Sequence, residues 1–564
     1  MSFTALFQHG APGRRLMRKA LRPILFSGML FLAAYLRVMG LTWGLSSGYG
    51  HDLNFQPDEF VSLRGVLQLD LLAGDIKAPG AYFEGTFNYY LWAVVQAGLK
   101  IAASKNLDLS ASLITNGPSD LLYICRWMSV LFDLCTIVVV FLAIREATER
   151  FYPSLVGALC YAVAPMQVIY AHFMRTHILS NLLCALVIWL SLRLRKSQRW
   201  QLLLLVGLIS GLGAATRYPV GIIVVIPCLY LLLNGGDDSL DWKLRILQRA
   251  KDLVISQVWL ISLGFGIGLF LGHPMLFLDP SGVTRAITGE TLRYASLQEF
   301  SGSQLLNLSV LWRYVTYLIP FAMYPLLWLV PYCAVLYLLF KRSLYSLSIP
   351  ILIFSILYLY LMGKGYLAPY FGRIAMLLFP GFCVLVGIAC WDFQSQMRNK
   401  RTPAVVLTCA LVLILGSSVV FDIAYDRAMQ QKDAREVARE DLKNLIGETP
   451  AKIGILRFGA YFYTAMPAAK PLASQKVAVQ LQDPGQDADF LLVGFARQIS
   501  SAQINATVRQ IEAHGKFEYA KSYRVPVRIF GHEFRLMHFP LDMTYTFPTL
   551  LLFRAKPQHE LSAS

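Results

Sequence analysis

At 564 residues, 56% of them hydrophobic and only 15% charged, the chain has the composition of a polytopic membrane protein, not of a string of soluble domains. Its formal charge of +17 is no nucleic-acid footprint, because the Lys and Arg residues cluster between apolar stretches. The nine cysteines all fall in or beside apolar stretches and none in the long C-terminal part, so neither a disulfide framework nor a zinc cluster is indicated.

Taken in chain order, Arg14, Arg15, Arg18, Lys19 and Arg22 precede the first apolar stretch. No small-residue cleavage pattern follows, which reads as a signal anchor. About eleven stretches are long enough to cross a bilayer as helices, near 22–43, 121–144, 153–171, 178–193, 201–216, 218–234, 253–272, 318–340, 347–362, 371–391 and 403–423. The basic clusters (14–22, 145–150, 193–199, 243–251, 341–342 and 398–401) fall on alternate connections, and the positive-inside rule makes that side cytoplasmic. Residues 44–120, 171–178, the turn at Arg217, 273–317, 363–371 and the C-terminal part are then extracytoplasmic. The run Thr86–Ala103 would spoil this charge pattern as a twelfth span. It is expected to lie along the outer interface instead, where Tyr89, Tyr90 and Trp92 are comfortable.

Beyond residue 426 the composition changes. Residues 427–564 carry 18 Lys/Arg against 13 Asp/Glu and no spanning run. A helix (429–446), strand-like runs at 452–458 and 489–495, a helix (499–514) and strands near 517–525 and 544–553 predict a small extracytoplasmic α/β domain. The expected architecture is therefore a helical membrane domain, 1–426, with juxtamembrane helices on its outer face, and a soluble α/β domain, 427–564.

The stretch Asn54–Glu59, Asn-Phe-Gln-Pro-Asp-Glu, directly follows the first span. Pro57 breaks any helix continuing from the membrane, and Asp58 and Glu59 sit where a helix N-terminus favours negative charge. Two carboxylates fixed at a membrane surface fit an acid/base device, and the same residues also make an ordinary helix start. His172, Arg175 and His177, then Arg217 and Tyr218, then His273, Asp279, Arg285, Glu290 and Arg293, then Lys364, Tyr366, Tyr370 and Arg373 fall on the same predicted face. A carboxylate amid Arg and Lys donors suits a reaction with a phosphate leaving group. Against this, Lys364 and Arg373 flank spans as snorkelling residues do. Arg217, in a near-continuous apolar hairpin, needs a partner. Asp133, mid-span, is expected to pair within the bundle, with Arg126 as a candidate. His172 and His177, without a third ligand, read more simply as loop residues than as a metal site.

Gln56-Pro57-Asp58-Glu59, then Tyr82-Phe83-Glu84, then Arg126 leading a span resemble the first half of a GT-C membrane glycosyltransferase. The resemblance is to the lipid A aminoarabinose transferases, with the protein O-mannosyltransferases as wider relatives. Ala215-Thr216-Arg217-Tyr218, Thr291-Leu292-Arg293-Tyr294 and the segment Gly363–Tyr370 continue the likeness in order, over roughly residues 20–390. It implies transfer of a sugar from a polyprenyl-phosphate carrier to a lipid, glycan or protein acceptor on the outer face of the cell (inner) membrane. It also implies a single inverting displacement with Asp58, beside Glu59, as the catalytic carboxylate. Arg217, Arg293 and Tyr370, with Lys364 and Arg373, match the donor-phosphate positions, and Tyr82, Glu84, His172 and His177 are candidate substrate contacts. Two departures stand out: Gly85 where the relatives carry Lys after Tyr-Phe-Glu, and His177 where many carry a second Asp. No cofactor follows from the residues, and a divalent metal is left open. A transporter or flippase of lipid-linked sugars is the alternative reading, and a sensor or assembly factor a third.

Overall fold

The computed structural model describes residues 11–45, 55–104, 118–233, 257–296, 308–363, 371–397, 401–447, 451–456, 478–481 and 487–556. The protein is a multi-pass membrane protein. Among the described residues six helices are long and apolar enough to cross a bilayer, and a seventh span is formed if the pair Phe151–Ala162 and Pro165–Ala171, bent by 60°, counts as one. Four of the eleven predicted spans are instead shorter apolar helices, Trp200–Thr216, Tyr218–Leu233, Val258–Gly272 and Leu329–Leu339. The cause of the shortening is visible at Arg217, whose extended backbone (φ −154°, ψ 127°) breaks the chain between two of them. Pro219 then starts the next as a 3-10 turn. The run expected at the interface is the helix Phe87–Ser104, which does not meet the apolar standard of a span.

Two buried ion pairs tie the bundle together. Arg37, at the end of the helix Ala11–Val38, donates from Nε to Asp133 Oδ2 at 2.5 Å and from Nη1 to the carbonyls of Ala33 and Ala162. Arg126 instead grips Glu59, Nε to Oε1 at 2.9 Å and Nη2 to Oε2 at 2.6 Å, with Nη1 on the carbonyls of Leu41 and Trp43. The expected Arg126–Asp133 pair is therefore corrected. Both residues lie on one helix, but each faces a partner brought from the first 60 residues of the chain.

The segment after the first span, predicted to be outer, folds onto this anchor. Gln56 accepts the N–H groups of Asp58 and Glu59, Pro57 fills the first turn, and the helix Pro57–Leu67 follows. Its apolar face (Leu63, Val66) packs with Tyr89, Trp92 and Ala93 of the helix Phe87–Ser104 and with Leu121, Leu122 and Cys125, making a small core distinct from that of the bundle.

A second packing device positions Arg217. Gly207 and Gly211 on the helix Trp200–Thr216 lie against Gly264 and Gly268 on the helix Val258–Gly272. A Cβ at any of the four would come within 2.1–2.2 Å of a carbonyl oxygen of the other helix, so only glycine permits the approach. The ends of both helices that carry Arg217 and His273 thereby meet the segment after the first span: Thr86 Oγ1 reaches His273 Nδ1 at 2.8 Å, and Tyr218 Oη reaches His273 Nε2 at 2.9 Å.

The C-terminal part is an α/β domain with a five-stranded sheet in the order β2-β1-β3-β7-β4. The strands are β1 (Ile453–Leu456), β2 (Ala478–Leu481), β3 (Phe490–Phe495), β4 (Phe517–Tyr523) and β7 (Thr549–Ala555). β1 runs parallel to β2 and β3, and β7 is antiparallel to β3 and β4. The hairpin of β5 (Val527–Ile529) and β6 (His532–Phe534) and strand β2 have no counterpart in the sequence prediction, being only three or four residues long. Residues 544–548, expected as strand, are not: β7 begins at Thr549. The 426/427 division falls within the long helix Arg401–Met429, whose last turns run under the domain. Tyr324, Phe421, Phe534 and Phe539 form one aromatic cluster there, with Phe421 stacked on Phe539 at 5.6 Å.

Replacing Arg126 with Met leaves Glu59 buried without its counter-charge, an expected loss of about 3–5 kcal/mol of stability. The double change Glu59→Met/Arg126→Met loses less than Arg126→Met alone. Melting of the detergent-purified protein measures both, and an Arg126→Met protein as stable as the parent would remove this pair as the anchor of the first outer segment.

Candidate functional site

Asp58 lies in the first turn of the helix Pro57–Leu67, with its carboxylate about a quarter exposed. Its Oδ2 is 2.7 Å from Arg373 Nη1. Arg373 stands at the start of the 3-10 helix Gly372–Leu378, buried, with its guanidinium over the Phe371 ring and Nη1 also on the Tyr170 hydroxyl at 3.2 Å. A guanidinium spread over carboxylate, phenol and ring face is held in one plane, which a lysine could not match.

Arg175 forms the floor. From the loop before the helix Thr176–Leu194 it donates Nη1 to the Asp58 carbonyl at 2.8 Å and to Ser62 Oγ at 3.1 Å, and Nη2 to Glu84 Oε1 at 3.0 Å. Burial works against its charge, yet Glu84 and then Asp58 outweigh it and hold the guanidinium more firmly protonated than usual. Arg175 is visible in the sequence only as one more outer-face residue, with no role attached.

His177 is buried two residues further on, edge-on to Tyr170 with ring centroids 5.4 Å apart. Neither ring nitrogen has a hydrogen-bond partner among the described residues, and Arg217, Arg175 and Arg373 act on it electrostatically. The Arg217 side chain, half-buried, makes no ion pair or hydrogen bond with a described residue. Its charge acts on His177, Tyr314 and Tyr358. Segments predicted to be outer thus meet at one end of the bundle. The predicted inner connections meet likewise, Lys196 with Glu146 at 3.0 Å and Lys341 with Gln396 at 3.3 Å.

Three candidates take other roles. Glu59, read as the second catalytic carboxylate, is wholly buried, with both oxygens on Arg126 and Oε1 also accepting the Met174 N–H at 2.7 Å. Neighbouring helix positions point roughly 100° apart, so Asp58 and Glu59 cannot face the same place. His172 is buried against the Met39 carbonyl and Asp426, away from the Asp58 cluster. Tyr82 packs with Met275, Val283 and His273, its carbonyl accepting the Tyr218 hydroxyl. Arg293 lies in the last turns of the helix Pro280–Ser296 with its side chain outside the described residues, as are Lys364 and Tyr370 altogether. Among the described residues no three His, Cys, Asp or Glu side chains converge to hold a metal.

Gly85 explains one departure from the expected pattern. It has φ +122°, and a Cβ there would come within 2.4 Å of the Ala215 carbonyl oxygen, so a lysine has no room. The chain passes there directly over the turn that carries Arg217.

Sequence reading missed the part played by the C-terminal domain. Asp542 accepts the N–H of Gly372 at 3.1 Å and that of Arg373 at 2.7 Å, and Tyr545 lies against Phe371 within electrostatic reach of Arg373 and Asp58. No local pattern marks Leu541-Asp542-Met543, because its role depends entirely on docking.

Residues 111–261 match the family of dolichyl-phosphate-mannose-protein mannosyltransferases, which bears out the GT-C resemblance over the segment covered. No curated protein matches the chain. Among solved structures the chain is similar to ArnT from Cupriavidus metallidurans, both in its apo state and bound to undecaprenyl phosphate. For the apo form identity is 11% over 95% of this chain and 98% of that one (TM-score 0.46); for the bound form it is 12% over 96% and 98% (TM-score 0.43). It is also similar to the Archaeoglobus fulgidus oligosaccharyltransferase tethered to an acceptor peptide, at 11% identity over 89% of this chain and 69% of that one (TM-score 0.44). Likenesses at these scores identify neither an activity nor a substrate.

Burial pushes the His172 imidazole down to about 4, with Arg126 and Arg37 acting in the same direction and the Met39 carbonyl against it. A lowered pKa means that the folded protein holds the neutral ring. The associated stability is complete above the ordinary value near 6.5 and is lost as pH falls towards 4. Melting curves of the parent and of His172→Gln should therefore diverge in shape between pH 6.5 and 4, with the parent falling more steeply; parallel curves would contradict the burial of an uncharged ring.

Proposed function

We propose that this chain is a membrane glycosyltransferase that moves a sugar from a polyprenyl-phosphate carrier to an acceptor hydroxyl, with inversion and with Asp58 as general base. The observation that carries this reading is the Asp58–Arg373 ion pair set among Arg175, Arg217 and the unpartnered His177. The family match over residues 111–261, to enzymes that use a dolichyl-phosphate sugar, supports the donor class.

The chemistry follows from what each group can do. The acceptor oxygen attacks the anomeric carbon while its proton passes to the Asp58 carboxylate, which stands 2.7 Å from Arg373. The bond from that carbon to the phosphate oxygen breaks, and the phosphate leaves with the electron pair. One displacement inverts the configuration. Arg217, lacking a carboxylate partner among the described residues, takes the departing phosphate; Arg373, with donors beyond the one on Asp58, adds to it. Arg293, Lys364 and Tyr370 complete the phosphate set by the sequence pattern alone. His177 offers a ring nitrogen to the donor, and Glu84 acts through Arg175, which it fixes. The reacting end faces the extracytoplasmic side, because the basic connections gather at the other end. Residues 1–426 form the transferase domain and 427–564 the extracytoplasmic domain.

Asp58→Asn keeps the shape and removes the base. Turnover of a polyprenyl-phosphate sugar by the protein in nanodiscs should fall roughly 10²–10⁴-fold with unchanged melting; undiminished turnover would end this reading. Arg217→Ala should weaken retention of a polyprenyl phosphate roughly 10–100-fold, the worth of charge-assisted hydrogen bonds. An unaltered affinity would take Arg217 out of the phosphate site. Comparison of cell-envelope lipids and glycans with and without the gene identifies sugar and acceptor.

A topology reporter fused after residue 430 should score extracytoplasmic. A cytoplasmic score would invert the sidedness of every loop assigned here.

A further inference from the structure

The C-terminal domain touches the membrane domain close to both partners of the Asp58–Arg373 pair, at Phe55 and at Arg373 itself. On one side Arg435, itself clamped by Asp433, donates Nη1 to the Phe55 carbonyl at 2.8 Å, three residues before Asp58, and lies over the Phe55 ring. On the other side the Asp542 carboxylate takes the two buried N–H groups that open the 3-10 helix Gly372–Leu378. No described residue of the membrane domain supplies a side-chain cap to that helix start. The segment carrying Asp542 is itself locked down, since the Tyr425 hydroxyl meets the Met543 carbonyl at 2.9 Å and Thr546 Oγ1 at 2.6 Å, and the Tyr317 hydroxyl meets the His538 carbonyl at 2.6 Å. Pro540 approaches Gly372 from the same segment.

We propose that Asp542 is a positioning residue of the transferase site: by capping the backbone at Gly372 and Arg373 it sets the guanidinium that pairs with Asp58 and receives the donor phosphate, so that the site is complete only with the C-terminal domain docked. The inference rests on the proposed glycosyl transfer for its function, but not for its geometry. A buried carboxylate is costly to keep charged. Burial raises the Asp542 pKa, and Arg373 together with the two amides works against that rise. The Asp542 carboxylate meets this helix start with both oxygens, within a contact that is otherwise largely apolar. Without it, two buried amides lose their acceptors, and the turn bearing Arg373 has no reason to keep its present angle.

The test uses the full chain in nanodiscs, with a polyprenyl phosphate as probe, and compares Asp542→Ala, Asp542→Asn and a remote control, Lys521→Gln. Hydrogen exchange at 371–378 should quicken in Asp542→Ala without quickening across the sheet of the C-terminal domain, which separates a lost cap from an unfolded domain. Affinity for the polyprenyl phosphate should drop about tenfold in Asp542→Ala and about threefold in Asp542→Asn, which keeps one acceptor oxygen; the control should match the parent. Unchanged exchange at 371–378, or quickened exchange with parental phosphate affinity, would overturn the proposal. If the parent itself fails to hold a polyprenyl phosphate, the donor assignment falls, and the exchange measurement alone then decides whether Asp542 orders Arg373.

Discussion

The bidentate pair between Arg126 and Glu59 is the constraint from which the rest of the outer face follows. Its guanidinium also gathers the carbonyls of Leu41 and Trp43, so one side chain closes the end of the first span, the start of the helix Pro57–Leu67 and the long helix Pro118–Thr148 into a single unit. A buried pair of this kind adds little net stability over an apolar contact, because both charges lose their water. What it does add is register. With Glu59 turned inward and fixed, Asp58 is turned roughly 100° away, towards Arg373 and water. The acid committed to Arg126 thus determines which acid is left to face Arg373.

The second determinant is close backbone approach. The four glycines between the helices Trp200–Thr216 and Val258–Gly272 let two short helices behave as one thick element, and their shared outer end carries Arg217 on one side and His273 on the other. Gly85 extends the same principle to the outer segment, lying on the Ala215 carbonyl. The missing lysine after Tyr-Phe-Glu is thus not a lost contact at an otherwise equivalent place. The chain has come closer than any side chain allows, and cation placement falls to Arg175 and Arg217.

Much of this was legible in the sequence, and the reasons are specific. Apolar length located the helices, although Arg217 and Pro219 divide a hairpin into pieces shorter than a bilayer, a division that hydropathy alone does not register. Charge asymmetry sorted the loops, and the segments it grouped do touch at each end. Pro-Asp-Glu located Asp58, but helix phase, not composition, separates Asp58 from Glu59. The partner of Asp133 was misread because sequence proximity favours a residue on the same helix, whereas Arg37 arrives from 96 positions away. Asp542 left no trace, since its function is defined by backbone amides 169 and 170 residues upstream, and amides have no sequence signature.

The distribution of partners around Asp58 indicates what the site is built to receive. Glu84 answers Arg175, Asp58 answers Arg373, and Asp542 is satisfied by backbone amides. Arg217 has no such answer among the described residues, and beside it His177 keeps both nitrogens unpartnered in a buried position. A cation and an unsatisfied ring are costly to hold at a membrane boundary without compensation. A transporter would carry such groups near the midplane and between repeated halves; here they stand at the end of the bundle, beside a carboxylate already paired and partly open to water. Under the proposed transfer, an anion with hydrogen-bonding oxygens would answer the charge of Arg217 and offer His177 a partner, and a phosphate attached to a lipid is an anion of that kind.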